Sequence, residues 1–404
     1  MISSRPTARP GSPATAYVDL GAIGANVRAV QARAPGSALM MVVKADAYGH
    51  GLLPVARAAR RAGAGWLGVA QLPEAISLRD NGVDGRVLAW LAVPGADFAG
   101  CLERDIDLGV SAPWALAEIA AAARHTGRTA RVHLKVDSGL GRAGAYAAGF
   151  TDLLGAAARV AREGTVQVVG VWSHLACADE PGHPSIRLQQ AVFEAAVAEA
   201  ERAGCSLEVR HLANSAATLT DPSLHYDLVR VGIAGYGLSP GPGVGDHTAY
   251  GLTPAMTLVA RLSLVKDVPE GQGVSYGHSY TTPRATRLGL VPVGYGDGIP
   301  RNASNVGPLA VAGQRHRIAG RVCMDQVVVD LGPGSQAQAG DEVVIFGTGA
   351  AGEPTANEWA VSTGTISYEI VTRLGPRVER EYVCLLYTSP SPRDRTRSRM
   401  PSSA

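Results

Sequence analysis

Aromatic residues are scarce in this chain, at 5% of 404 residues, and its formal charge of +2 is close to neutral. No long basic run lies in the body of the chain, which argues against a nucleic-acid partner. No uninterrupted apolar stretch is long enough to span a bilayer, so no membrane partner is expected. The first residues, Met1 to Pro13, contain Arg, Ser and Pro but no apolar core, so no secretory signal is expected there. The five cysteines, at 101, 177, 205, 323 and 384, show no CxxC spacing. That scatter argues against a disulfide framework or a metal site and fits a reducing cytoplasm.

Ala, Val and Gly are plentiful, which suits α/β packing, and the length allows two domains with a large core. Between residues 39 and 231, short apolar runs alternate with amphipathic, Ala-rich stretches. The runs cover 39–43, 66–69, 87–90, 108–111, 132–136, 168–172, 208–211 and 228–231. Helical patterns fall at 53–61, 72–79, 114–125, 150–162 and 186–203. Such alternation implies parallel strands with right-handed crossovers, and eight units fit a (β/α)8 TIM-type barrel. A doubly wound open sheet is the alternative. It is weakened because no GxGxxG opens a helix after the first strand.

After Gly237 the texture changes. A Gly/Pro-rich stretch over 239–251 reads as a linker. Beyond it the runs are short, β-branched and separated by turn residues, at 257–265, 288–293, 316–323, 326–331 and 342–346. This is a mostly antiparallel β pattern. A short helix over 356–361 is entered through Thr355. A strand over 16–20 precedes a helix over 20–31 and could join either domain. The expected organisation is a lead-in over 1–14, a barrel over 15–245, a β domain over 246–383 and a tail over 384–404. The tail is rich in Ser, Pro and Arg and lacks periodicity, so it reads as disordered or as adapter-derived sequence outside the fold.

Functional residues of a barrel sit at the C-terminal ends of its strands. Lys44 ends the first apolar run, in Met41-Val-Val-Lys44-Ala-Asp-Ala-Tyr48-Gly-His-Gly51. Desolvation there lowers a lysine pKa, which makes the amine a nucleophile or a Schiff-base partner for an aldehyde cofactor. An exposed strand-end lysine is the structural alternative. Lys135 and Asp137 close the fifth run, next to Arg142. His174 follows the sixth, His211 closes the seventh and Arg230 lies near the end of the eighth. Loops after strands seven and eight often hold phosphate. Here they offer the Ser215 hydroxyl and the N–H groups of Gly232 and Ile233, where glycine permits a close backbone approach. In the β region, Val274-Ser-Tyr-Gly-His278, Gly294-Tyr-Gly-Asp-Gly298, Val322-Cys-Met-Asp-Gln326 and Ile366-Ser-Tyr-Glu369 place Tyr or Asp beside small residues. Spacing alone makes most of these β-turns.

Taken together, these motifs resemble those of alanine racemases over roughly residues 15 to 383. The resemblance implies pyridoxal 5'-phosphate bound covalently to Lys44, which is also one catalytic base. It implies Tyr276 as the second base, acting from the other subunit of a homodimer on the opposite face of the substrate. By the same resemblance, Tyr48, Ser215, Gly232, Ile233 and Tyr368 hold the phosphate. Arg230 meets the pyridine nitrogen with His211 in support, and His174 lies beside the cofactor ring. Arg142, Met324 and Tyr295 are substrate-side residues, Lys135 is a carbamylated lysine, and Cys323 and Asp325 share the Met324 loop. The implied activity is an isomerase interconverting L- and D-alanine, supplying D-alanine for peptidoglycan in the cytoplasm. Alternatives on the same barrel are a racemase for serine or larger amino acids, a pyridoxal-phosphate carrier and a basic amino-acid decarboxylase. A carrier would lack the β domain, and a decarboxylase should place an acid where Arg230 stands.

Overall fold

The structure is a computed structural model that describes residues 11–384, so most of the expected lead-in and nearly all of the expected tail lie outside it. Eight parallel strands form one sheet: Ala38–Val42, Trp66–Gln71, Arg86–Leu91, Asp107–Val110, Ala130–Lys135, Val166–Trp172, Val209–His211 and Leu228–Val231. The last strand pairs with the first, in register from Ala38 against Leu228. The remaining seam, between strands seven and eight, is bridged by backbone bonds. Asp227 N–H donates to the Arg210 carbonyl at 3.2 Å, and Arg230 N–H to the Ala213 carbonyl at 3.0 Å. This is the expected (β/α)8 barrel.

Alternation decides which side chains fill the barrel. Along strand five, Val132 and Leu134 pack outward in the main core, while Arg131, His133 and Lys135 take the opposite face. Met40, Trp66, Leu88, Val209 and Leu228 form a separate apolar cluster inside. Glycines make room for large neighbours: a Cβ at Gly68 would collide with Met40 and Trp90, and one at Gly170 with His133. The crossover helices bury one apolar stripe each. Pro113–Thr126 starts with proline at its first turn and stops at Gly127, whose φ of 67° suits glycine.

The second part holds a six-stranded sheet and a three-stranded one, with mostly antiparallel pairing. Of the two places open to the first strand, Ala14–Asp19 takes this sheet, between Met256–Arg261 and Glu379–Val383. Residues assigned at the head of the barrel domain thus tie the two parts together. Asp19 then caps the helix Leu20–Gln31 by accepting from the Gly21 and Ala22 N–H groups at 2.8 and 3.2 Å.

Two expected strands differ. The run over 257–265 is two strands in different sheets, Met256–Arg261 and Leu264–Val268. The chain switches at Leu262 and Ser263, whose N–H groups donate to Asp341 and Leu290. The run over 316–323 ends as a strand at Arg317. Its remainder forms the loop that carries Cys323, Met324 and Asp325. The helix entered through Thr355 is Ala356–Thr363, closed at its start by a capping box with Glu358. Among the described residues no helix is long and apolar enough to cross a membrane.

Candidate active site

Lys44 lies just past the first barrel strand, in an unusual turn. Ala45, Asp46, Ala47 and Tyr48 all have φ between 52° and 54°, and Gly49 follows at 77°. Four consecutive non-glycine residues in the left-handed region cost about 1–2 kcal/mol each. Glu74 holds the turn: its carboxylate accepts from Ala45 N–H at 2.6 Å, and from Ala70 and Gln71 at 3.1 and 2.9 Å. Asp46 accepts from Leu52 N–H at 2.7 Å. The turn therefore aims Lys44 and Tyr48 by constraint from neighbouring elements. Burial pushes the Lys44 amine below its ordinary pKa; Arg142 adds to this and Glu74 opposes it.

The ends of strands five to eight gather cations. Lys135 Nζ lies 4.4 Å from the Trp172 ring centre, and the Arg230 guanidinium carbon 5.2 Å from it. Burial, then Arg230 and Arg142, push Lys135 down to about 8. Arg230 is buried, and burial pushes it down to about 9. Its Nη1 donates to the His211 carbonyl at 2.7 Å, and its Nη2 to the Ser173 and Leu212 carbonyls at 2.7 and 3.0 Å. The Nδ1 atoms of His211 and His174 each lie 3.3 Å from this guanidinium. Arginine has no acceptor, so His211 Nδ1 accepts from Nη1 and the His211 ring carries its proton on Nε2. Burial, then the positive charge of Arg230, hold both imidazoles well below their ordinary pKa, hence neutral.

The carboxylates nearest this cluster are engaged elsewhere. Asp137 caps its own loop by accepting from Gly139, Leu140 and Gly141 N–H groups, and Glu74 braces the Lys44 turn. A partly desolvated cluster of two lysines and two arginines suits a ligand that brings negative charge.

Beside it lies a small polar cradle. Ser215 opens the short helix Ser215–Thr220, capped by Asn214, and its Oγ accepts from Gly232 N–H at 2.9 Å and Ala234 N–H at 3.4 Å. Ile233 begins the 3-10 turn Ile233–Tyr236. A Cβ on Gly232 would collide with the Tyr48 hydroxyl. The Tyr48 ring lies 6.0 Å from that of Tyr368, on the helix Ser367–Thr372, so both parts of the chain contribute. Burial pushes both phenols up, which keeps them as neutral donors.

Tyr276, Tyr295 and Met324 form a separate ledge on the second part, 71%, 43% and 54% exposed. Tyr295 and Gly296 N–H groups donate to the Cys323 and Met324 carbonyls at 3.0 and 2.8 Å. The Ser275 hydroxyl donates to the Arg321 carbonyl at 2.6 Å. Arg377 clamps Asp325 and Asp297 at 2.8 and 2.9 Å. Among the described residues, no hydrogen bond or ring contact joins this ledge to Lys44. The structure thus brings together the expected barrel-mouth residues and the cradle residues, and leaves the ledge apart.

Sequence reasoning missed several residues. Glu74 braces the Lys44 turn, with Gln71 three residues before it as the legible capping signal. The Tyr236 ring lies 4.7 Å from that of Tyr48, tilted by 32°, and its hydroxyl donates to the Val42 carbonyl at 2.9 Å. Gln189 is buried, and its amide reaches the His174 carbonyl at 3.3 Å; nothing in its local pattern marks it.

The models of the alanine racemase N-terminal and C-terminal domains match residues 18–240 and 255–382. The chain belongs to the alanine racemase family. It is 59% identical over 373 residues to the alanine racemase of Beutenbergia cavernae, covering 92% of this chain and 98% of that one. It is 56% identical over 381 residues to that of Frankia casuarinae, covering 93% and 99%. A crystal structure of alanine racemase from D-cycloserine-producing Streptomyces lavendulae superposes with a TM-score of 0.91 at 58% identity, covering 94% and 98%. The match extends over the β part at 255–382, which a carrier would lack.

Proposed function

We propose that this protein is a pyridoxal-phosphate-dependent alanine racemase that interconverts L- and D-alanine. The observation that carries this reading is Lys44: a desolvated amine beside Arg142 at the barrel mouth, in a chain that matches the family in both domains. The donor set fits pyridoxal phosphate. Lys44 offers the amine for its aldehyde, and the cradle of Tyr48, Ser215, Gly232, Ile233 and Tyr368 offers neutral donors for its phosphate. His174 and Arg230, supported by His211, line the ring.

The chemistry supplied by the bound cofactor is electron withdrawal that acidifies the Cα–H of the substrate amine. Lys44 exchanges a proton with that carbon from one face. Tyr276, from a second copy of the chain, exchanges a proton from the other face, so the substrate need not rotate. Arg142 binds the substrate carboxylate. Lys135, carried as a carbamate, becomes an anion that holds Arg142 by charge-assisted hydrogen bonds. Its pKa near 8 leaves a useful fraction of reactive neutral amine. Met324 and Tyr295 line the substrate side. Facing the ring nitrogen, Arg230 would act as a hydrogen-bond donor, which would moderate electron withdrawal and the transamination that excess would bring.

On this reading residues 15–245 and 246–383 form the barrel and β domains of a cytoplasmic homodimer that supplies D-alanine to peptidoglycan. Purified protein incubated with a panel of L-amino acids, followed by chiral separation, tests the activity. D-Alanine in large excess over other D-products supports it. Preferential racemisation of serine or larger side chains would replace it with a broader racemase.

A further inference from the structure

The barrel interior holds buried polar groups that the proposed chemistry does not use. Asp107, the first residue of strand four, is 1% exposed, and His133, in the middle of strand five, is fully buried. His133 Nε2 lies 3.2 Å from Asp107 Oδ2, and His133 Nδ1 lies 3.0 Å from His211 Nε2. His211 Nδ1 in turn faces Arg230 Nη1 at 3.3 Å. Four side chains from strands four, five, seven and eight thus form one continuous file up the barrel.

The direction of this file follows from one end. Arg230 can only donate, so His211 Nδ1 accepts and its proton sits on Nε2. That proton points at His133 Nδ1, which must accept. The His133 proton then sits on Nε2 and points at Asp107, which can only accept as a carboxylate. Each group has one role left once the previous one is fixed. Burial works to raise the Asp107 carboxyl, but His133 and Arg131 outweigh it and hold it below the ordinary value. Asp107 is anchored from below by Arg131 at 3.1 Å, itself paired with Glu208 at 2.7 Å, and by Arg86 at 3.8 Å. Gly170 makes space for the file, since a Cβ there would strike the His133 Nδ1 edge.

We infer that Asp107 and His133 are positioning residues for Arg230, setting the tautomer of His211 and hence the orientation of the guanidinium through a one-way donor chain. The functional consequence rests on the reading that Arg230 meets the cofactor ring. A buried imidazole oriented by a carboxylate is a common way to fix the group beyond it.

The test uses NMR on the holoenzyme labelled with nitrogen-15 in its histidines and arginines, the ten histidines keeping the imidazole region tractable. In the wild type, the His211 proton should reside on Nε2 and show a scalar coupling to His133 Nδ1 across the hydrogen bond. Asp107→Asn should weaken that coupling, shift the Arg230 Nη signals and lower kcat about tenfold, as loss of such an orienting carboxylate does. Glu208→Gln, on the same rim but off the file, should leave the coupling intact and kcat within about twofold. If Asp107→Asn does not fold, Gly170→Ala perturbs the same ring contact without changing a charge and should weaken the same coupling. A wild-type proton on His133 Nδ1, or Asp107→Asn signals matching those of Glu208→Gln, overturns the inference. Shifted Arg230 and His211 signals with unchanged kcat would uphold the positioning role and sink the assignment of Arg230 to the cofactor ring.

Discussion

Lys135 Nζ sits 4.4 Å from the centre of the Trp172 ring, with Arg230 over the same ring at 5.2 Å. Burial, then the positive charges of Arg230 and Arg142, depress the lysine to about 8 against 10.5 in the unfolded chain. Between those values the unfolded chain holds the proton and the folded chain does not. The stability of the unmodified protein therefore rises with pH across that window, and the penalty is full below about 8. In buffer stripped of carbon dioxide, the melting temperature should rise on going from pH 8 towards 10. Bicarbonate at pH 8 should raise it and flatten the dependence, by converting Lys135 to an anion. Carbon-13-labelled bicarbonate should give a carbamate signal that Lys135→Arg abolishes; a wild type with no such signal contradicts the carbamate.

The left-handed turn after Lys44 makes a second prediction. Ala45 is exposed and has φ 53°, so its methyl group packs little and its backbone is strained. Ala45→Gly should leave stability unchanged or raise it by up to about 1 kcal/mol, the difference between the left-handed penalty and the entropy cost of glycine. In a right-handed turn the same change would lower it. Denaturant unfolding of the two proteins decides the sign.

Gly232 is constrained by space, because a Cβ there would meet the Tyr48 hydroxyl. Gly232→Ala would push the Tyr48 hydroxyl aside and should cost about 1–3 kcal/mol by overpacking. Because Tyr48 and Ser215 share the cradle, cofactor affinity should fall along with stability. Equilibrium dialysis that shows unchanged affinity would remove Gly232 and Tyr48 from the phosphate site.

Much of this was legible in the sequence because barrels write themselves as regular alternation. Strand eight, Leu228–Val231, and the helix Leu20–Gln31 have the expected bounds because each carries one unbroken pattern between clear turn residues. The barrel-end residues Lys44, Lys135, His211 and Arg230 could be picked out because polar groups interrupt apolar runs. Long-range relations could not be read. Nothing local tells that Ala14–Asp19 joins a sheet whose other strands lie over two hundred residues away, between Met256–Arg261 and Glu379–Val383. The left-handed run Ala45–Tyr48 contains no glycine, the residue that would mark it, and is held by Glu74 from another element. Asp107 reads as a polar residue at a strand start; only the folded barrel puts it under His133.

The central claim is that one site joins Lys44 of one chain to Tyr276 of another. The exposed ledge that carries Tyr276, with no hydrogen bond to Lys44 among the described residues, motivates it. Lys44→Ala and Tyr276→Phe should each be nearly inactive alone. After co-refolding, mixed dimers hold one site with both bases and one with neither. With random mixing about half the dimers are mixed, so racemisation should return to roughly a quarter of the wild-type rate by two-fold symmetry. No recovery, with mixed dimers demonstrated by mass, would mean that both bases come from one chain and would contradict the shared site.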